Sequence, residues 1–97
     1  MDTSKYVQTC SKRIIMVHVA EQTERNPNYT FTSRQLAQEL NVKQDNIVNL
    51  VTGLRKSRAY IKVVREEGAH NTRRYIYQIT LSGIKYADYI KKQEGLL

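Results

Sequence analysis

Ninety-seven residues leave room for one domain, since domains usually run to roughly 100–200 residues, and a two-domain enzyme is excluded. With 40% hydrophobic residues, four Gly and one Pro, the chain is neither disordered nor collagen-like. Sixteen Lys and Arg against nine Asp and Glu give a formal charge of +7, which attracts polyanions, and a single cysteine, Cys10, excludes an intramolecular disulfide. The charge alone fits nucleic acid, an anionic membrane surface or an acidic protein, with nucleic acid the first to consider.

Val7, Cys10, Ile14 and Val17 recur at steps of three and four, predicting a helix over 4–24 that ends before Asn26-Pro27-Asn28. Residues 14–20 are apolar nearly all round, with Ile15, Met16 and Val19 pointing away from that stripe. A helix apolar on every side is expected to be buried on every side. One face is then assigned to the domain's own core and the other to a second subunit. The run is far shorter than the roughly 18–20 residues that span a bilayer, and no signal-peptide cleavage pattern follows Lys12 and Arg13. No membrane association is expected, and the localisation expected is intracellular: the cytoplasm, or the host cytoplasm for a viral source.

Thr32 followed by Gln35 has the spacing of a capping box, and Phe31 stands where it can staple onto Leu36. A short helix is expected there, with Leu36, Ala37 and Leu40 inward and Asn41 suited to a left-handed C-terminal position. After Val42-Lys43, the residues Ile47, Leu50, Val51 and Leu54 lie at i, i+3, i+4 and i+7, predicting a third amphipathic helix. The two helices together occupy 32–58.

The period then drops from 3.6 to 2. Ile61 and Val63 alternate with Lys62, and Tyr75, Tyr77 and Ile79 share one face, so a hairpin is expected over 60–79. Gly68 and Asn71 suit its turn, leaving a finger with His70, Arg73 and Arg74. Thr80 can cap a last helix over 81–94 with Ile84, Ala87 and Ile90 inward. The expected fold class is mainly α with a β-hairpin (α+β), in one domain over 1–97.

His18 and His70 are far apart, Cys10 has no obvious partner, and no nucleophile elbow, phosphate-cradling glycine loop or zinc-protease spacing is present. The expectation is therefore no catalysis, no metal, no cofactor and no evident small-molecule ligand. His18 is expected to be a packed or interface residue.

Several motifs point one way. Leu40-Asn41-Val42 with Ile47, Leu50 and Leu54 is similar to the turn and recognition helix of winged helix-turn-helix proteins, and Tyr77-Gln78-Ile79-Thr80-Leu81-Ser82-Gly83 resembles the segment that closes the wing in MarR-like and PadR-like regulators. The resemblance covers about residues 12–92, and that superfamily includes many small regulators of archaea, bacteria and their viruses. Where those families carry Gly between recognition helix and wing, this chain has Arg58-Ala59, and it lacks their additional long C-terminal dimerisation helix. The resemblance implies a double-stranded DNA-binding transcriptional regulator, with 60–79 as the wing.

In such a protein the third helix enters the major groove, where amides pair with adenine, Asp accepts from cytosine and apolar groups touch the thymine methyl. Gln44, Asp45, Asn46, Val48, Asn49 and Thr52 supply that repertoire, against the plainer reading of a solvated helix face. Lys43, Arg55, Lys56 and Arg58, with Lys62, Arg65, Arg73 and Arg74 of the wing, are candidates for phosphate. For Lys62 and Arg65 the alternative is an edge strand kept soluble by charge. These eight cations face only Asp45, Glu66 and Glu67 between positions 40 and 79, so 8 − 3 = +5 of the +7 lies there. Tyr75 and Tyr77 are expected to pack on the core rather than stack bases.

Two half-sites need two copies, so a homodimer is expected, with Cys10, Ile15, Met16, Val19, Tyr86 and Tyr89 as its interface. The rival from another class is a protein-interaction or architectural module of a transcription or replication complex.

Overall fold

The computed structural model describes residues 11–69 and 73–93. Its elements run α1 (Lys12–Arg25), α2 (Ser33–Leu40), α3 (Gln44–Arg58), β1 (Ile61–Glu67), β2 (Arg74–Ile79) and α4 (Leu81–Gln93). This is the α+β, winged helix-turn-helix layout expected from the sequence. Val7 and Cys10, His70 and Asn71, and the end of the last helix expected at 94 lie outside the described residues.

Local chemistry sets the boundaries. Ser11, in extended conformation, caps α1 by accepting the Ile14 amide at 3.3 Å, so α1 begins at Lys12. Thr32 Oγ1 accepts the Gln35 amide at 3.0 Å, which is half of the capping box; the Gln35 side chain turns away and donates to Glu39 instead. Asn41 takes the left-handed conformation at φ 57, and the Val42 amide returns to the Ala37 carbonyl at 3.1 Å.

The sequence placed Ile15, Met16 and Val19 on an outer, subunit-facing side of the first helix. The structure reverses that assignment: all three are fully buried in the domain's own core, while Ile14 and Val17 are only half-buried at its edge. The physical reason is that an all-round apolar run carries no facing information of its own. The stripe was oriented by Val7 and Cys10, which precede the Ser11 cap. Helix α1 packs mainly on α4 and also meets α3 and β2.

Strands β1 and β2 pair antiparallel with Ile61 opposite Ile79 and Val63 opposite Tyr77, which places this inward face on the core. A bulge between Val63 and Arg65 then shifts the register, so that Arg65 faces Ile76. Beyond it, Tyr75 does not join the core as expected; it is 37% exposed, whereas Tyr77 is buried. The other edge of β2 is held by Phe31, whose amide and carbonyl bond to Tyr77 at 3.0 and 2.8 Å. Phe31 is itself almost fully buried between Tyr29 and Tyr77, at ring-centroid distances of 5.8 and 5.6 Å. One residue thus fastens the start of α2 to the wing.

Ala59 occupies the place of the usual glycine and adopts φ 55 nonetheless. Its amide and that of Tyr60 both return to the Leu54 carbonyl, ending α3 and turning the chain into β1. Thr80 ties the far end of the hairpin to this joint: its amide donates to the Tyr60 carbonyl at 3.0 Å and its hydroxyl to the Ala59 carbonyl at 2.6 Å. The same hydroxyl accepts the Gly83 amide at 3.1 Å and so caps α4. Gly83 is required by close approach, since a Cβ there would collide with the Tyr60 carbonyl oxygen and sit 2.7 Å from Ile79 Cγ1.

Candidate nucleic-acid interface

Helix α3 buries Ile47, Val51 and Leu54 against the core and leaves its opposite side open. Gln44, Asp45, Asn46, Val48 and Asn49 are all exposed, and Thr52 is half-buried. They do not share one face. Gln44, Val48, Thr52 and Arg55, at i, i+4, i+8 and i+11, form a row turned toward the wing. Helical spacing puts Asp45 and Asn49 on the outermost ridge, with Lys56 continuing it, and carries Asn46 round to the other flank.

Between that row and the wing lies a cleft of about 390 Å³, closed at one end by the first turn of α2 and on the far side by β2. Arg34 of α2, Arg55 of α3 and Arg73 and Arg74 of the wing line it, and among the described residues no acidic one does. Arg55 is half-buried, with its guanidinium carbon 5.7 Å from the centre of the Tyr75 ring. Its Nε is shut off from solvent and has no hydrogen-bond partner among the described residues. In the same cleft, burial pushes the Tyr77 phenol up from its ordinary pKa, while a hydrogen bond with Ser33 and the charge of Arg55 pull in the opposite direction. Tyr77 is therefore a neutral hydroxyl at physiological pH.

The remaining cations are spread around this centre. Lys43, Lys56, Arg58, Lys62 and Arg65 are exposed. Two wing arginines already have carboxylate partners: Arg73 Nε lies 2.9 Å from Glu66 Oε1, and Arg65 Nε lies 2.9 Å from Glu67 Oε2. Exposed pairs of this kind are weak and can exchange for phosphate. On the other flank of α3 the side chain of Lys12 lies across Gly53, and with Arg58, Tyr60 and Tyr86 it borders a second cleft of about 380 Å³.

Sequence reasoning missed Arg34, Lys12 and the cleft role of Tyr75. Arg34 was legible in principle as a cation two positions past the Thr32 cap, where an acidic residue is the usual complement to the helix dipole. Of the residues assigned to a subunit interface, Tyr86 is half-buried and stacks on Tyr60 at 4.4 Å and 8°, so its ring is spent within the domain. Tyr89 is 56% exposed, and Cys10 lies outside the described residues. His18 is bound within the fold, 2.7 Å from Glu39 Oε1. Among the described residues no group of three or more His, Cys, Asp or Glu is placed to hold a metal ion, and no helix is long and apolar enough to cross a membrane.

Comparison with solved structures gives the same architecture. The chain is similar to smu.1704 from Streptococcus mutans UA159, with a TM-score of 0.66 at 17% identity, covering 92% of this chain and 83% of that one. It is also similar to MepR, a transcription regulator of the Staphylococcus aureus multidrug efflux pump MepA, with a TM-score of 0.57 at 19% identity. That match covers 80% of this chain but only 54% of MepR, so the chain spans about half of that regulator's length. At such identities the likeness is one of fold. No protein-family model and no curated protein matches the sequence.

Proposed function

We propose that the protein is a non-enzymatic, sequence-specific double-stranded DNA-binding protein that regulates transcription by occupying a site as a homodimer. The observation that carries this reading is the exposed ridge and row of α3, where uncharged hydrogen-bonding groups (Gln44, Asn49, Thr52) and the 43%-exposed Val48 stand between cations on the same helix and on the wing. Cations at the margins suit phosphate and polar groups at the centre suit base edges. An architectural protein that coats DNA through phosphates alone has no use for such a centre. The transcription regulator among its structural neighbours supports the regulatory reading.

The dimer cannot use Ile15, Met16 and Val19. The apolar surface still open on the last helix is Leu81, 68% exposed, and Tyr89. A selection of bound sequences from random duplex DNA tests the whole reading. The expected result is an enriched, two-fold symmetric site with half-sites about 10 bp apart or a multiple of it. In Asn49→Ala, discrimination between that site and random DNA should narrow by roughly 1–3 kcal/mol while random binding stays nearly constant. No enrichment, with tight capture of a protein instead, would favour the interaction-module reading.

A further inference from the structure

The cleft between α3 and the wing holds a charge that the fold itself does not use. Among the described residues no carboxylate pairs with Arg34, Arg55 or Arg74, and Arg55 additionally keeps a desolvated Nε–H without an acceptor. A buried donor left unmet is unfavourable, and a guanidinium is well suited to two oxygens of one phosphate. The Arg55 guanidinium lies over the Tyr75 ring, and Tyr77, whose hydroxyl stays neutral, lines the same cleft.

We propose that this cleft seats one phosphate group of the bound DNA backbone, with Arg55 as its central ligand, Tyr77 as a second donor, and Arg34 and Arg74 at the rim. The inference rests on the DNA-binding reading and makes it specific. Arg55 is the last member of the row Gln44, Val48, Thr52, so a phosphate fixed on it fixes the depth and register at which that row meets the bases. Phosphate chemistry admits two sources, the DNA backbone or a free phosphorylated compound, and the test separates them.

Binding of duplex DNA is measured by fluorescence anisotropy from 0.05 to 0.3 M salt for wild type, Arg55→Gln, Arg55→Lys and Arg34→Gln, each first shown to melt like wild type. Arg55→Gln removes one phosphate contact from each protomer, so it should weaken binding of the dimer roughly sixtyfold at 0.1 M salt and flatten the log–log salt slope by about 1.8, the signature of one released counterion per protomer. Arg55→Lys should keep the wild-type slope, because the charge remains. If Arg55 merely packs on Tyr75, neither substitution changes the slope, and an unchanged slope in Arg55→Gln overturns the proposal. A second arm titrates the protein with pyrophosphate and follows the Arg55 Nε–H resonance. If wild type binds no duplex but that resonance shifts saturably, the seat is real, its ligand is a free phosphate compound, and the DNA reading alone fails. No duplex binding and no shift overturns both.

Discussion

Gly83 and Gly53 both sit inside helices, and the structure predicts opposite outcomes for the same substitution. On helix propensity alone, Gly→Ala is worth about 1 kcal/mol in favour of the folded state at either position. At Gly53 a new Cβ meets only the mobile end of Lys12, Cε and Nζ at 3.0 Å, which can swing into solvent. Gly53→Ala should therefore stabilise by about 0.5–1 kcal/mol. At Gly83 the new atom collides with the Tyr60 carbonyl, and that carbonyl is pinned by the Thr80 amide at 3.0 Å. Relief requires α4 to back away, which loosens the two hydrogen bonds from Thr80 to residues 59 and 60, each worth about 1 kcal/mol, and lifts Ile79 from its seat. Overpacking adds roughly 1–3 kcal/mol. After subtracting the propensity gain, the net loss is about 2–4 kcal/mol. At 4–8 °C per kcal/mol for a domain of this size, Tm should fall by roughly 10–30 °C. Thermal melts of the two variants beside wild type decide the matter. A Gly83→Ala protein that melts at or above the wild-type temperature, or a Gly53→Ala protein that loses as much as Gly83→Ala, would refute the reasoning.

Two further outcomes are expected. Ala59→Gly relieves a left-handed conformation that an alanine adopts at a cost of about 1–2 kcal/mol, partly offset by the greater freedom of glycine in the unfolded chain, so urea denaturation should show a gain of about 0.5–1 kcal/mol. In the Glu39 cluster, burial alone would raise the carboxyl pKa. Hydrogen bonds with His18, Gln35 and Tyr29, together with the charge of His18, outweigh it and hold the group below 4.5. A depressed carboxyl stabilises fully above its unfolded value and loses that contribution as pH falls through its folded one. The acid limb of stability below about pH 4.5 should accordingly be shallower in Glu39→Gln, as followed by urea denaturation at stepped pH.

The parts of the fold that were legible in the sequence are those specified within a few residues. The Thr32 cap, the left-handed Asn41 and the alternation that turns Ile61 and Val63 of one strand and Tyr77 and Ile79 of the other to a common side rest on local spacing, and the structure realises each of them. The Thr-x-x-Gly segment was recognised only as a resemblance; the structure supplies its cause in the approach of Gly83 to Tyr60. The facing of α1 was not legible, because a run apolar on all sides fits either orientation. Nor was the exposure of Tyr75: alternation keeps it on the Tyr77 face, its ring 6.2 Å from that of Tyr77, but two residues farther out along the wing it meets Arg55 at the cleft rather than the core.

The cleft marks the limit more sharply. Arg34, Arg55 and Arg74 are separated by roughly twenty residues at each step, and nothing in their spacing brings them together. What does so is Phe31, whose two hydrogen bonds to Tyr77 place the start of α2 against the wing, and whose ring is buried with Tyr77 in the core. Periodicity identifies which face of α3 is polar, because that property belongs to a single helix. Which of its polar residues stand on its outer ridge, and which share a cleft with the wing, depends on how three elements close around one aromatic residue. That is why the sequence yields the six candidate readers as one set, and the structure divides them into the outer ridge of Asp45 and Asn49, the wing-side row of Gln44, Val48 and Thr52, and Asn46 on the far flank.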